Sequence, residues 1–234
     1  MSTIGIIQCR TGSVRLKKKQ LLYLGKYNIS EWVIRRVKKS KKLNQIILAT
    51  STHKNNTVLI NLAKKLKISH FAGSEKNVFS RFYKIVKNYK PNYVVRICAD
   101  NPFIDPKEID KLITYTIKNN LDYSFNHIPY KKNMYIDGVG AECIKSNYFL
   151  KNKKKINNKN YFKEHVTSYI WQNKNKFRIN YKKSPKKYSY PKLRLDIDTL
   201  DDYKKIYNFM NNYKGRPEMF KNEKIINFMK KVKK

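Results

Sequence analysis

Within its first 119 residues the chain alternates four times between a short apolar run and a longer segment with apolar residues at helical spacing, a rhythm that fits a mostly parallel sheet covered by helices. Thr3–Cys9, Gln45–Thr50, Ile68–Ala72 and Tyr93–Cys98 read as strands. Ile29–Lys39, Asn56–Lys67, Asn77–Asn88 and Pro106–Asn119 read as helices, the last with proline at its first turn. In such sheets ligands bind outside the carboxyl ends of the strands. The polar loops after Cys9, Thr50, Ala72 and Cys98 are therefore expected to open on one edge.

The second half breaks this rhythm. Tyr123–Phe125, Gly138–Ile144, Phe177–Tyr181 and Leu193–Ile197 read as strands, and Tyr161–Trp171 as a helix. The Lys/Asn-rich stretch Lys151–Asn160 reads as a loop, and Lys204–Asn212 and Lys221–Lys231 as terminal helices. An antiparallel insertion is expected here. At 234 residues the chain suits one α/β domain with an appendage.

The formal charge of +37 suggests a nucleic-acid partner, because such an excess draws phosphate backbones. Yet the lysines are spread along the whole chain among Asn, Ile and Tyr, a mixture that AT-rich codon usage also favours, although that leaves the scarcity of acids unexplained. The runs Lys151–Lys155, Lys182–Lys187 and Lys230–Lys234 read as solvated loops and tails, with no nucleic-acid-binding motif beside them. No dedicated nucleic-acid role is expected. No hydrophobic stretch approaches the roughly 20 residues that span a bilayer, and the amino terminus has no signal-peptide pattern, so a cytoplasmic protein without membrane association is expected. Cys9, Cys98 and Cys143 lack metal-ligand spacing and read as free thiols.

Three segments carry chemistry. Thr3–Cys9 runs into a loop with Gly12, Ser13, Arg10, Arg15 and the lysines 17–19, where backbone N–H groups, a hydroxyl and cations suit a polyphosphate. The ATPase-type P-loop pattern is absent. Tyr93–Cys98 delivers Asp100 to the same edge, either as a carboxylate holding Mg²⁺ against phosphates or as the organiser of the turn before Pro102. Leu193–Ile197 delivers Asp196 and Asp198 similarly, with helix capping by Asp198 or Thr199 as the alternative. Arg96, within an apolar strand, requires a partner: Asp100 in an ion pair, or a substrate anion.

Together these segments resemble the cytidylyltransferases that activate acidic sugars, the family of the CMP-3-deoxy-manno-octulosonate and CMP-sialic acid synthetases, and most nearly its spore coat polysaccharide biosynthesis protein F branch. The resemblance runs from about Ile4 to Tyr203. It rests on Arg10-x-Gly12-Ser13-x-Arg15-Leu16-x-x-Lys19, Ala49-Thr50-Ser51, Gly73-Ser74-Glu75 with Arg81, Arg96 to Pro102, Glu164-His165-Val166 and Ile197-Asp198-Thr199, in family order. Lys17-Lys18 replaces the Pro-Gly common before the signature lysine, and Leu200 stands where proline often follows Asp-Thr. Neither change deletes a chemical group.

The resemblance implies a Rossmann-like nucleotidyltransferase sheet flanked by helices. The nucleotide-binding half would occupy about 1–122, an acceptor and dimerisation insertion 123–192, and a metal-binding strand with the C-terminal helices 193–234. It implies that Arg10, Arg15, Lys19 and Asp100 carry catalysis, with Arg10, Ser13, Arg15 and Lys19 holding the triphosphate of CTP and Gly12 permitting close backbone approach in that nucleotide site. Cys9, Thr50, Ser51, Gly73, Ser74 and Ala99 would complete the nucleotide site, and Asp100 and Asp198 would bind Mg²⁺, with Asp196 as a helper. Arg96, Asp137, Glu142, Glu164 and His165 would face the acidic-sugar acceptor, although a lone histidine on a helix bearing Val166, Tyr169 and Ile170 is also a common structural residue. A homodimer is implied as well. The alternatives are a nucleotidyltransferase for another nucleotide or acceptor, an inactive relative serving as a scaffold and, from another class, a basic nucleic-acid-binding protein.

Overall fold

The computed structural model describes residues 1–127 and 133–232. In β1 (Thr3–Gln8) alternate side chains enter different layers: Ile4 and Ile6 pack on one face of the sheet and Ile7 on the other. A two-stranded hairpin, β2 (Tyr23–Leu24) and β3 (Tyr27–Asn28), leads into α1 (Ile29–Val37), where the Asn28 side chain caps Glu31 N at 2.8 Å. The chain continues through β4 (Gln45–Ser51), α2 (Thr57–Lys65), β5 (Ser69–Gly73), α3 (Val78–Tyr89), β6 (Tyr93–Cys98) and α4 (Pro106–Lys118). Asn77 caps α3, and Asp105 caps α4 ahead of Pro106.

The irregular half contributes β7 (Tyr123–Phe125), β8 (Glu142–Lys145), α5 (Asn147–Asn157), α6 (Asn160–Glu164), α7 (Ser168–Gln172), β9 (Ile179–Tyr181), α8 (Leu200–Met210) and α9 (Asn222–Val232). The seven-stranded sheet has the order β5-β4-β1-β6-β8-β7-β9, and β8 alone runs against its neighbours. Chain order departs in opposite directions from the β1/β6 pair, so a crevice opens at their carboxyl ends. Helices α3 and α5 cover one face through Phe79, Phe82 and Phe149; α1, α2 and α4 cover the other through Val33, Leu59 and Leu112. A third apolar cluster, including Trp32, Phe103, Leu195, Ile197 and Phe220, fixes the C-terminal region beneath the crevice.

Four expectations need correction. Leu193–Ile197 is extended but is no strand: its one bridge joins Arg194 to Asp137, because its neighbours are loops that offer no continuous ladder. Lys151–Asn160 is largely helical, since Tyr148, Phe149 and Ile156 bury one side of α5 while the lysines remain outside. The strand expected over Gly138–Ile144 is restricted to β8. Gly138 has φ +91°, and a Cβ on Gly140 would stand 2.0 Å from the Asn126 carbonyl, so this approach to β8 is a close-packed turn. The helix expected over Tyr161–Trp171 is two short helices, broken at His165–Thr167. The last two residues of the Lys230–Lys234 run lie outside the described residues; the rest of it ends α9. All three cysteines are free, as expected.

Candidate active site

The loop after β1 is shaped from beneath. Asn56 accepts from both Thr11 N (2.9 Å) and Thr11 Oγ1 (3.0 Å), and its own amide donates to Ser51 Oγ at 2.6 Å, tying the loop to the end of β4. Lys18 takes a left-handed conformation with φ 52°, and a single tight turn, Lys19–Leu21, follows. This turn sends the Lys19 side chain inward, to 7% exposure.

There Lys19 Nζ donates to Asp100 Oδ2 at 2.9 Å, Asp198 Oδ1 at 2.8 Å and the Ile197 carbonyl at 3.0 Å. Burial alone works against its charge, yet the two carboxylates outweigh burial and hold the Lys19 pKa above the ordinary lysine value. The carboxylates, 98 residues apart in sequence, thus meet at the β1/β6 crevice. Arg15 Nη1 reaches the other Asp198 oxygen at 2.7 Å from a largely exposed position. Arg10 lies between Glu75 (3.8 Å) and Glu164 (3.5 Å). Arg10, Arg15, Lys19, Asp100, Glu164 and Asp198, with Ser13, Ala99 and Arg96, line a cleft of about 340 Å³.

Arg96 is not paired with Asp100, the protein partner expected for it. Its Nη1 bonds Glu142, directly opposite on β8, and its Nε bonds Gln8 Oε1 at 3.0 Å. Glu142 also accepts from Tyr123 OH (2.5 Å) and Thr167 Oγ1 (2.9 Å), and it is 2% exposed. Burial pushes its pKa up, but Arg96 and its other partners hold it down at about 2. Glu142 therefore fixes Arg96 from behind, while Arg96 itself presents to the cleft. Glu142, expected from the resemblance to face the acceptor, is not among the residues that line the cleft.

The remaining candidates divide by position. Asp196 pairs with Arg194 through both oxygens, and Arg194 also approaches Asp137 at 3.9 Å. Burial first, and then Asp196 and Asp100, push the Asp137 carboxyl up to about 7 against the pull of Arg194. Cys9 is buried against Ser30, and burial pushes its thiol up to about 12, so it offers no thiolate. Thr50 is fully buried, and Ser51 donates to Glu75. A Cβ on Gly73 would stand 3.0 Å from Arg81 Cγ, and one on Gly12 3.1 Å from Glu75 Oε1. Ser74 Oγ accepts from Asn77 N at the start of α3. Thr50, Ser51, Gly73 and Ser74 thus form a shelf at the ends of β4 and β5, beside the cleft that the loop and β6 enclose. His165 is exposed at the break between α6 and α7, with its ring 4.7 Å from that of Tyr161, and does not line the cleft.

Several residues of this region have roles that the sequence motifs alone do not assign. Glu75 joins Arg10 to Ser51; its place in Gly73-Ser74-Glu75 was the available signal. Arg81 is 1% exposed, and Nε and Nη2 have no hydrogen-bond partner among the described residues; its Nη1 reaches only the Ala49 carbonyl, at 3.4 Å. Burial, and then Arg10, push its pKa down to about 10. Asn56 carries no sequence signal, because its role exists only once β4 and the β1 loop are adjacent.

Residues 4–226 match the family model described as cytidylyltransferase. An uncharacterised protein of Methanocaldococcus jannaschii is 42% identical over 204 residues, covering 87% of this chain and 81% of that protein. The spore coat polysaccharide biosynthesis protein SpsF of Bacillus subtilis is 30% identical over 224 residues, covering 94% and 91%. The solved structure of a cytidylyltransferase from Leptospira borgpetersenii superposes with a TM-score of 0.85 at 26% identity, over all of this chain and 95% of that one. With an α/β sheet of this order and a match across nearly its whole length, the chain belongs to the cytidylyltransferase family and is a nucleotidyltransferase.

Proposed function

We propose that this enzyme transfers the cytidylyl group of CTP to a hydroxyl of an acidic sugar, a 3-deoxy-ulosonic or nonulosonic acid, giving a CMP-sugar and pyrophosphate for surface polysaccharide synthesis. The observation that carries this reading is the meeting of Asp100 and Asp198 beside a loop bearing Arg10, Arg15 and Lys19. Arg96 adds a cation on the β6 side of the same cleft, suited to the anionic group of the acceptor.

The donor set suits Mg²⁺. Two carboxylates and the Ile197 carbonyl already surround one cationic point, the Lys19 ammonium. Among the described residues no cluster of three or more His, Cys, Asp or Glu forms a self-sufficient metal cage. That matches an ion which takes one or two protein carboxylates and completes its shell with phosphates and water. Asp100 and Asp198 would hold it. When bound, Mg²⁺ polarises the α-phosphate and lowers the pKa of the attacking hydroxyl.

The chain's own residues position and neutralise. The acceptor oxygen forms a bond to the α-phosphorus in line as the bond to the bridging oxygen of the β-phosphate breaks; the hydroxyl proton leaves to solvent. Arg10 and Arg15 offset charge on the departing pyrophosphate, which is where electrostatic stabilisation yields most in phosphoryl chemistry. Arg96, fixed by Glu142 and Gln8, orients the acceptor. The test is pyrophosphate release with each nucleoside triphosphate against a panel of sugar acids. Release that requires CTP and a 3-deoxy-ulosonic or nonulosonic acid supports the reading; turnover only with another nucleotide or a neutral sugar overturns it.

A further inference from the structure

Lys19 has no N–H group left for a phosphate. An ammonium carries three donors, and here they go to Asp100, Asp198 and the Ile197 carbonyl. The side chain is 7% exposed, so a triphosphate in the cleft meets Lys19 only if the ammonium leaves the acids. Two other cations of the loop are also engaged by carboxylates: Arg15 by Asp198, and Arg10 by Glu75 and Glu164. The same two carboxylates that hold the ammonium are those a divalent ion would need, and two cations repel strongly at one point in a partly dry crevice.

We infer that Lys19 is an internal counter-ion that closes the Asp100/Asp198 pair to divalent metal until nucleotide phosphates draw its ammonium away, so that metal enters with or after the nucleotide. This rests on the pocket being the CTP and metal site proposed above. The two states exchange partners without loss: Lys19 leaves two carboxylates for phosphate oxygens, and the carboxylates exchange an ammonium for a divalent ion that the phosphates also ligate. The nucleotide and the metal then favour the same arrangement, so each tightens binding of the other by the same factor.

The experiment titrates Mn²⁺ into the protein and reads free Mn²⁺ by electron paramagnetic resonance, with and without CTP and with no acceptor present. Three proteins are compared: the parent, Lys19→Met, which keeps the side-chain length and removes the charge, and Lys19→Met combined with Asp198→Asn. Without CTP, Lys19→Met is expected to bind Mn²⁺ about tenfold or more tightly than the parent, with the gain lost in the double variant. CTP is expected to tighten Mn²⁺ binding to the parent by a larger factor than to Lys19→Met. Equal or weaker Mn²⁺ affinity in folded Lys19→Met overturns the inference. Should that variant not fold, the parent alone decides: CTP tightening Mn²⁺ binding about tenfold or more supports it, and Mn²⁺ binding as tight without CTP as with it overturns it. CTP binding is followed in parallel by calorimetry. Intact CTP binding with an unfavourable Mn²⁺ result overturns the counter-ion role alone, whereas no CTP binding at all overturns the functional reading and this inference with it.

Discussion

The Ile197 backbone N–H donates to the Asp100 carbonyl at 2.9 Å, stitching the extended 193–197 segment to the turn after β6. Asp198 follows immediately, which is how its carboxylate comes to share Lys19 with Asp100. Leu195 and Ile197 are fully buried in the cluster below, so this placement is anchored by apolar packing as well as by the bond. Removing a charge at the meeting point, without disturbing that packing, should damage chemistry before stability.

Asp100→Asn is expected to lower turnover on the order of 100-fold or more, the scale of losing one electrostatic contributor at a transition state. Steady-state pyrophosphate release checks it, with circular dichroism confirming the fold. Turnover within a few-fold of the parent would remove Asp100 from the catalytic set.

Glu142→Gln should destabilise the protein by about 3–5 kcal/mol, because the Arg96 guanidinium then stays buried without its counter-charge. Arg96→Met combined with Glu142→Leu should recover most of that loss, while activity with the acidic acceptor stays low. Urea unfolding measures the first effect and KM for the acceptor the second. A double variant with the parent's acceptor KM would deny Arg96 its recognition role.

Arg81→Met should leave thermal stability unchanged or raise it, since it removes a buried charge whose Nε and Nη2 have no partner among the described residues. A fall in Tm of several degrees would mean that the guanidinium is better satisfied than its contacts indicate. Differential scanning calorimetry distinguishes the two outcomes.

Asp137 gives a pH signature. Its folded pKa of about 7 lies above the ordinary 3.8, so between those values the folded protein keeps a proton that the unfolded chain has released. Stability from this group is complete below about pH 4 and is lost as pH rises through about 7. Asp137→Asn should therefore gain stability relative to the parent across that interval and no further above it. Denaturant midpoints for both proteins, measured in metal-free buffer from pH 4 to 8, give the difference directly; a flat difference would contradict the raised value.

The parallel part of the sheet was legible because β1, β4 and β6 are largely buried and its helices are amphipathic, signals that survive without tertiary context. The irregular half was less so. Leu193, Leu195 and Ile197 alternate like a strand, but a strand needs a paired neighbour, and loops lie beside this one. The Lys151–Lys155 run conceals a helix because its apolar anchors, Tyr148, Phe149 and Ile156, flank the run or lie at its edge. At the site, the cationic loop and Asp100 could be read from strand ends, whereas the convergence of Asp198 came only through resemblance, because it depends on a bond between residues 100 and 197. That Arg96 needs a partner was readable; that the partner is Glu142 depends on the antiparallel register of β6 and β8.

The central claim is that CTP and a divalent ion share the crevice between the β1 loop and Asp100/Asp198. Its most direct test is a crystal soaked with CTP and Mn²⁺ and measured at a wavelength where manganese scatters anomalously. The account predicts an anomalous peak ligated by Asp100 and Asp198, with the triphosphate along Arg10, Ser13 and Arg15. Nucleotide density elsewhere on the protein, or a manganese peak away from both carboxylates, would contradict it.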